Sequence, residues 1–191
     1  MSEKLKQEIE KSVALLKQGK ILLYPTDTIW GIGCDATNTK AVEKVFRLKD
    51  RHKHKSMIVL LDSADKLSLY VDKVPQIAYD LIENAASPIT IVYSNAKNLS
   101  KKLIASDGSI AIRVVKDDYC LEVIKKLGHP LVSTSANISD EPAPQTFNQI
   151  ADIIKERVDY VVDIHRSRIR NIRPSTIIKL EETGTFSILR L

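Results

Sequence analysis

Glycine is scarce, six residues in 191, and none of the six stands in GxxxxGK[ST] or GxGxxG. A P-loop and a dinucleotide-binding turn are thereby excluded, because each needs glycine where backbone amides close around phosphate. GxSxG, HExxH and the kinase motif set are missing as well, which removes the hydrolase elbow, the zincin helix and kinase chemistry. The two cysteines, Cys34 and Cys120, are too few and too far apart for a disulfide framework or a CxxC metal site. Cys34 reads as a buried thiol in preference to a nucleophile. His52, His54, His129 and His165 lack metal-ligand spacing, and the first two read as solvated side chains in preference to a metal pair. Aromatic residues make up only 5%, leaving few platforms on which single-stranded nucleic acid could stack. No apolar run approaches the roughly 18 to 20 residues of a membrane span. The start, Met1-Ser-Glu-Lys4, opens a charged amphipathic segment in place of a signal peptide. A cytoplasmic protein with no membrane partner is expected.

What is present is ordinary globular usage, 43% hydrophobic and 28% charged. The length, with no repeat, low-complexity tract or linker, fits one domain over 1–191. Charge is the informative deviation. Lys+Arg exceed Asp+Glu by 5, with a sequence isoelectric point near 9.1, which favours a polyanionic partner. The excess is concentrated in 49–55 and 165–173, each with four Lys or Arg. For a run met at random a solvated face is the plainer reading.

Leu5, Ile9, Val13 and Leu16 recur at helical spacing before Gly19, so 3–18 reads as an amphipathic helix. Ile21-Leu-Leu-Tyr24 is a short strand, apolar on both faces as in a sheet covered by helices on both sides. A second helix entered from Thr39 carries Ala41, Val42, Val45, Phe46 and Leu48, and Met57–Leu61 is a second buried strand. Pro75 suits the first turn of a helix with Ile77, Ala78, Leu81 and Ile82 inward. Residues 89–93 and 109–114 have strand composition; Asp117 or Asp118 caps a helix that Gly128 closes after Leu127; Leu131-Val-Ser133 follows as a strand. Thr146-Phe-Asn-Gln149 fits a capping box before a helix carrying Ile150, Ile153 and Ile154. Residues 160–162, 176–180 and 186–189 close the chain, the last two joined by a turn at Gly184. The alternation implies an α/β fold with a mixed sheet.

Small hydroxyl residues and fixed cations gather at strand ends. Tyr24-Pro-Thr-Asp-Thr-Ile-Trp-Gly-Ile-Gly33 follows a buried strand with Thr26 and Thr28 two apart, so that in extended chain both hydroxyls point the same way. Its two glycines allow a ligand or another backbone close approach. Ser133-Thr-Ser-Ala-Asn137 ends another strand, where ligands of open α/β sheets collect; helix capping or a turn is the bland reading of either segment alone. Lys49, Arg51 and Arg113 add a mobile ammonium and planar guanidinium forks, the groups that hold phosphate and carboxylate oxygens. Together they suggest a concave site for a nucleotide and an acid.

Residues 24–33, Lys49-Asp-Arg51, Ser109-Ile-Ala-Ile-Arg113, Pro130-Leu-Val-Ser-Thr-Ser-Ala-Asn137, Pro174-Ser-Thr176 and Ile188-Leu-Arg190 resemble, in order, the motifs of the YrdC-like threonylcarbamoyl-AMP synthases. The resemblance covers essentially the whole chain and is to the short, single-domain form. It implies a twisted, open sheet of mixed parallel and antiparallel strands with helices on its faces and an electropositive concave site. It also implies a reaction of L-threonine, bicarbonate and ATP, with Mg2+, to threonylcarbamoyl-AMP and pyrophosphate. Transfer proteins then carry the threonylcarbamoyl group to tRNA. By position, Thr28, Arg51, Arg113, Ser133 and Ser175 look like threonine contacts. Lys49, Lys55, Ser109, Ser135, Asn137 and Arg190 look like nucleotide or phosphate contacts, with Ala143 offering backbone. Lys49 and Arg51 carry the catalytic expectation: Arg51 or Arg113 pairs with the threonine carboxylate, and Lys49 neutralises charge on the triphosphate.

The sequence departs from the family pattern at His52 and Ser56-Met57, at Lys55 where many members carry Asn, and at Leu60, where longer relatives carry a His that touches threonine. Ala86-Ser87-Pro88 and Asp140 also differ from the common motif. Two other readings compete. One is a non-catalytic module that binds structured RNA through the same basic concavity, motivated by 166–173; the other is a related carbamoyl-transfer domain with a different acceptor. The run 166–173 can alternatively close over bound ATP.

Overall fold

A computed structural model describes residues 1–49, 57–138, 141–167 and 174–191. Helix α1 (Glu3–Lys17) is capped by Ser2, whose hydroxyl accepts from the Leu5 amide, and ends before Gly19 at φ +71°. Strands β1 (Leu22–Tyr24) and β2 (Gly31–Gly33) follow, then α2 (Thr39–Leu48) and β3 (Ile58–Leu61). The cap of α2 is Asn38, one residue before the expected entry, because its Oδ1 reaches the Ala41 amide at 3.1 Å. Next come α3 (Leu67–Tyr70), α4 (Gln76–Asn84), β4 (Ile89–Tyr93) and β5 (Ile110–Val114). Helix α5 (Asp118–Leu127) is capped by Asp117, which accepts from the Cys120 amide, and stops at Gly128 with φ +77°. The remainder is β6 (Leu131–Ser135), α6 (Asp152–Arg157), β7 (Tyr160–Val161), β8 (Thr176–Leu180) and β9 (Phe186–Arg190). The capping box Thr146–Gln149 is present but closes only a single 3-10 turn, Phe147–Gln149; the helix proper begins at Asp152.

The nine strands among the described residues form one sheet in the order β7-β1-β2-β6-β3-β5-β4-β8-β9. Pairing is mixed: β3–β5, β4–β8 and β1–β7 run parallel, and the other neighbours antiparallel. Register decides which side chains share a face, because Cα partners point the same way. Leu60 opposite Leu131, and Ile58 opposite Ser133 and Ala111, put those residues on one face. Val59, Ile112 and Val132 fall on the other.

The Val59 face is buried under α2, α3, α4 and α6 through Val42, Val45, Leu67, Ala78 and Ile154. The Leu60 face is covered differently along its length. At one end Leu22, Tyr24, Leu60, Val115 and Leu131 pack beneath α1 and α5, meeting Ile9, Val13, Leu16, Tyr119, Val123 and Leu127. Beyond that cover the same face opens into a concavity. Among the described residues no helix is long and apolar enough to cross a membrane.

Candidate active site

The concavity has a volume of about 620 Å³, within the roughly 300 to 1,000 Å³ usual for small-molecule sites. Its floor is the open half of the sheet face. Gly31, Ile58, Ala111, Arg113, Ser133 and Ser135 line it from β2, β3, β5 and β6, and Val92, Ile177 and Lys179 from β4 and β8. Strand alternation puts Ile58, Ser133 and Ser135 here on the same face as Leu60 and Leu131, which lie in the core two residues along β3 and β6.

The rim is built by turns. In the segment after β1, Thr26 is folded back on its own turn: its Oγ1 donates to the Ile29 carbonyl at 2.8 Å and accepts from the Thr28 amide at 3.0 Å. The Thr26 and Thr28 hydroxyls lie 3.0 Å apart. With the Thr26 proton given to Ile29, Thr28 is the donor of that pair, and Thr28 lines the pocket. On the opposite side Ser175 Oγ is 2.7 Å from Thr90 Oγ1, both buried.

Eight of the residues expected from the resemblance line this one cavity: Thr28, Arg113, Ser133 and Ser175 of the threonine set, and Ser109, Ser135, Ala143 and Arg190 of the nucleotide set. Lys49 and Asn137 are joined to the lining through Ser135 without being part of it. Lys49 is 4% exposed. Its Nζ donates to the Ser135 carbonyl at 2.9 Å, to Asn137 Oδ1 at 3.1 Å and to the Asn137 carbonyl. The Ser135 hydroxyl donates to the same Asn137 Oδ1. An ammonium thus ties the end of β6 to the end of α2. Arg51, Lys55, His52 and His54 lie outside the described residues.

The two glycines of 24–33 meet different neighbours. A Cβ on Gly33 would stand 1.7 Å from the Val132 carbonyl, so there it is a neighbouring backbone that comes close. A Cβ on Gly31 would stand 2.8 Å from Ser133 Oγ, inside the pocket wall. Burial drives both thiols, Cys34 and Cys120, upward in pKa, and both are free; a protonated, buried thiol is no nucleophile.

Three features of the site are absent from the sequence reading. Asp27 Oδ1 is 3.1 Å from Arg113 Nη2, the two side chains 11% and 4% exposed. Trp30 lines the cavity and packs on Phe147 at 4.9 Å between ring centroids. Lys179 faces the cavity with Ile177, while Ile178 and Leu180 on the other face of β8 are in the core. The described lining therefore carries the cations Arg113, Lys179 and Arg190 against one carboxylate, Asp107. Desolvation, and after it the charge of Arg113, lower the pKa of Arg190.

The model of the Sua5/YciO/YrdC family, described as "Telomere recombination", matches residues 14–191. The threonylcarbamoyl-AMP synthase of Pseudoalteromonas translucida is 34% identical over 172 residues, covering 88% of this chain and 91% of that protein. The one of Hahella chejuensis is 31% identical over 183 residues, covering 95% and 97%. Among solved structures, Pyrococcus abyssi Sua5 complexed with L-threonine superposes with a TM-score of 0.87 at 25% identity; all of this chain is covered, and 55% of that one. Escherichia coli YciO superposes at 0.83 with 22% identity, covering 97% of this chain and 89% of that one, a likeness of fold. Sequence, sheet order and the convergence of the motif positions on one cavity agree, and the chain belongs to the Sua5/YciO/YrdC family.

Proposed function

We propose that this chain is a threonylcarbamoyl-AMP synthase acting as one unit over 1–191 in the cytoplasm, a nucleotidyl transfer in which L-threonine, bicarbonate and ATP give threonylcarbamoyl-AMP and pyrophosphate. The observation that carries the reading is that eight motif positions, scattered from Thr28 to Arg190, line a single cavity. Relatives alike over nearly their whole length bear that activity in their names.

The chemistry follows from the groups present. Arg113 has a planar fork for a carboxylate, and Thr28, Ser133 and Ser175 surround it with hydroxyls suited to an amino-acid hydroxyl and amine. An amine so held, free to attack carbon dioxide or bicarbonate, forms a carbamate. A carbamate oxygen then attacks the α-phosphorus and pyrophosphate leaves. Positioning and charge stabilisation supply most of the rate in displacements of this kind. Arg190 gives the phosphates a cation, and Ser109, Ser135 and the backbone at Ala143 give the nucleotide its polar contacts. Lys49 holds the Ser135–Asn137 segment and lends its charge to the phosphate side; by the resemblance Lys55 belongs with the nucleotide and Arg51 with the threonine carboxylate. Magnesium is expected to arrive with ATP, as part of the substrate. Transfer proteins would then pass the threonylcarbamoyl group to tRNA.

The RNA-binding reading is less favoured. Arg166, the described arginine of the basic run, is occupied: it lies 4.8 Å over the Phe147 ring and donates to the Val161 and Val162 carbonyls. Purified protein given ATP, magnesium, bicarbonate and L-threonine is expected to release pyrophosphate, and omitting threonine stops the release. Threonine-independent release, or none, would overturn the assignment.

A further inference from the structure

The pocket holds two guanidiniums that are not electrostatically equivalent. Arg113 is 3% exposed, and the carboxylate of Asp27 sits against it at 3.1 Å. Asp27 reaches it from the turn that the Thr26 bonds to Thr28 and Ile29 hold in shape, and it is not itself a lining residue. The ion pair compensates the charge of Arg113, but it is not a hydrogen bond: Asp27 Oδ1 and Arg113 Nε are both buried without a hydrogen-bond partner, so the guanidinium keeps a donor unused. Arg190 differs. Its Nε and Nη2 donate to the Ser175 carbonyl at 3.3 and 2.8 Å, and among the described residues no carboxylate pairs with it. A carbonyl satisfies donors without cancelling a charge. One guanidinium of the cavity therefore belongs to an ion pair of net zero charge, and the other has no carboxylate partner among the described residues.

Anions sort between two such places by charge. Repulsion from Asp27 scales with the charge of the incoming group, so a phosphate or pyrophosphate feels it several-fold more than a carboxylate does. A monoanionic carboxylate can still take the open fork of Arg113. We propose that Asp27 is a specificity determinant: by neutralising Arg113 it reserves that guanidinium for a carboxylate and leaves Arg190 as the cation for phosphate oxygens. Naming the two anions as the threonine carboxylate and the ATP phosphates rests on the synthase reading; the division by charge does not.

The test is calorimetric titration of the full chain with inorganic pyrophosphate. In the wild type, Arg190→Ala weakens binding at least tenfold. Asp27→Asn tightens pyrophosphate at least tenfold and makes it insensitive, within threefold, to Arg190→Ala, because the uncovered Arg113 now accepts it. Asp27→Asn leaves a buried cation without its partner and can fail to fold. The double variant Asp27→Asn with Arg113→Gln replaces a neutral pair by a neutral pair, and it retains wild-type affinity within threefold. Undetectable wild-type binding overturns the proposal. So does an Asp27→Asn variant that binds pyrophosphate as the wild type does, or a tenfold loss in the double variant, which would mean that Arg113 takes phosphate already. A parallel titration with L-threonine separates the two claims: no threonine binding overturns the synthase reading alone, whereas tenfold competition by pyrophosphate in the wild type overturns the division of the pocket.

Discussion

Two halves of one sheet face share strands, yet one is core and the other is site. On β6, Leu131 is 1% exposed beneath α1 and α5, while Ser133, the next residue on that face, lines the cavity. On β3 the pair is Leu60 and Ile58, and along β5 and just past its end the series runs Val115, Arg113, Ala111. One side-chain step along a strand, about 6.6 Å, carries the chain from apolar packing to polar recognition. The covered half supplies contact area and hydrophobic burial, and the open half can keep small and charged groups because its neighbour holds the strands in place. The Val59 face has no such division along these three strands: Val59, Ile112 and Val132 are each at most 2% exposed beneath the helices.

The comparison breaks most visibly at the strand junction. Gly33→Ala would force a methyl group to within 1.7 Å of the Val132 carbonyl, a backbone collision that parts β2 from β6. A loss above about 4 kcal/mol, or no folded protein, is expected in thermal or urea melting. Leu131→Ala in the covered half should cost about 2 to 5 kcal/mol of stability and leave the L-threonine Kd, measured by calorimetry on folded protein, within threefold of wild type. If ligand affinity collapses while the melt is untouched, the halves are not separate. Gly31→Ala inverts the pattern: its methyl group meets the Ser133 hydroxyl at 2.8 Å, a side chain that can turn away. The expected penalty is about 1 to 2 kcal/mol of stability with at least a tenfold weaker threonine affinity. Ser133→Ala is the mildest, within about 1 kcal/mol in melting, with a roughly tenfold rise in the threonine KM for one lost hydrogen bond to a ligand. An unchanged KM would remove Ser133 from the amino-acid side.

Much of the fold was legible because its signals are local. The helix over 3–18, the Gly128 stop and the Gly184 turn come from spacing and from residues whose conformation is nearly unique, and the structure places them there, with φ +77° and +90° at the two glycines. Strand β2 was not legible. Gly31-Ile-Gly33 has too few side chains to show a period of two, and its place in the sheet depends on Leu22–Tyr24 and Ser135, which are far off in sequence or across a turn. The helix expected straight after Thr146 begins only at Asp152, since the capping box closes a 3-10 turn and Ile150 is drawn into the core instead.

The candidate site divides in the same way. The hydroxyl segments 24–33 and 133–137 are marked by composition, whereas Ser109, Ser175 and Arg190 came only from the resemblance; Lys179 went unread because Ile177-Ile178 interrupts any alternation in β8. Asp27 could not be identified, because nothing near it in sequence names Arg113 as its partner; β1 and β5 are separated in the sheet by β2, β6 and β3. The engagement of Lys49 by Ser135 and Asn137 is of the same kind.

Sequence by itself determined most of the helices and strands, β2 and the start of α6 excepted, and which chemical groups they bear, since propensity, alternation and caps act over a few residues. Only the tertiary structure decided which half of the sheet face would lie under α1 and α5 and which guanidinium would meet a carboxylate. Those outcomes depend on strand order and register, which bring together groups that the chain itself keeps far apart.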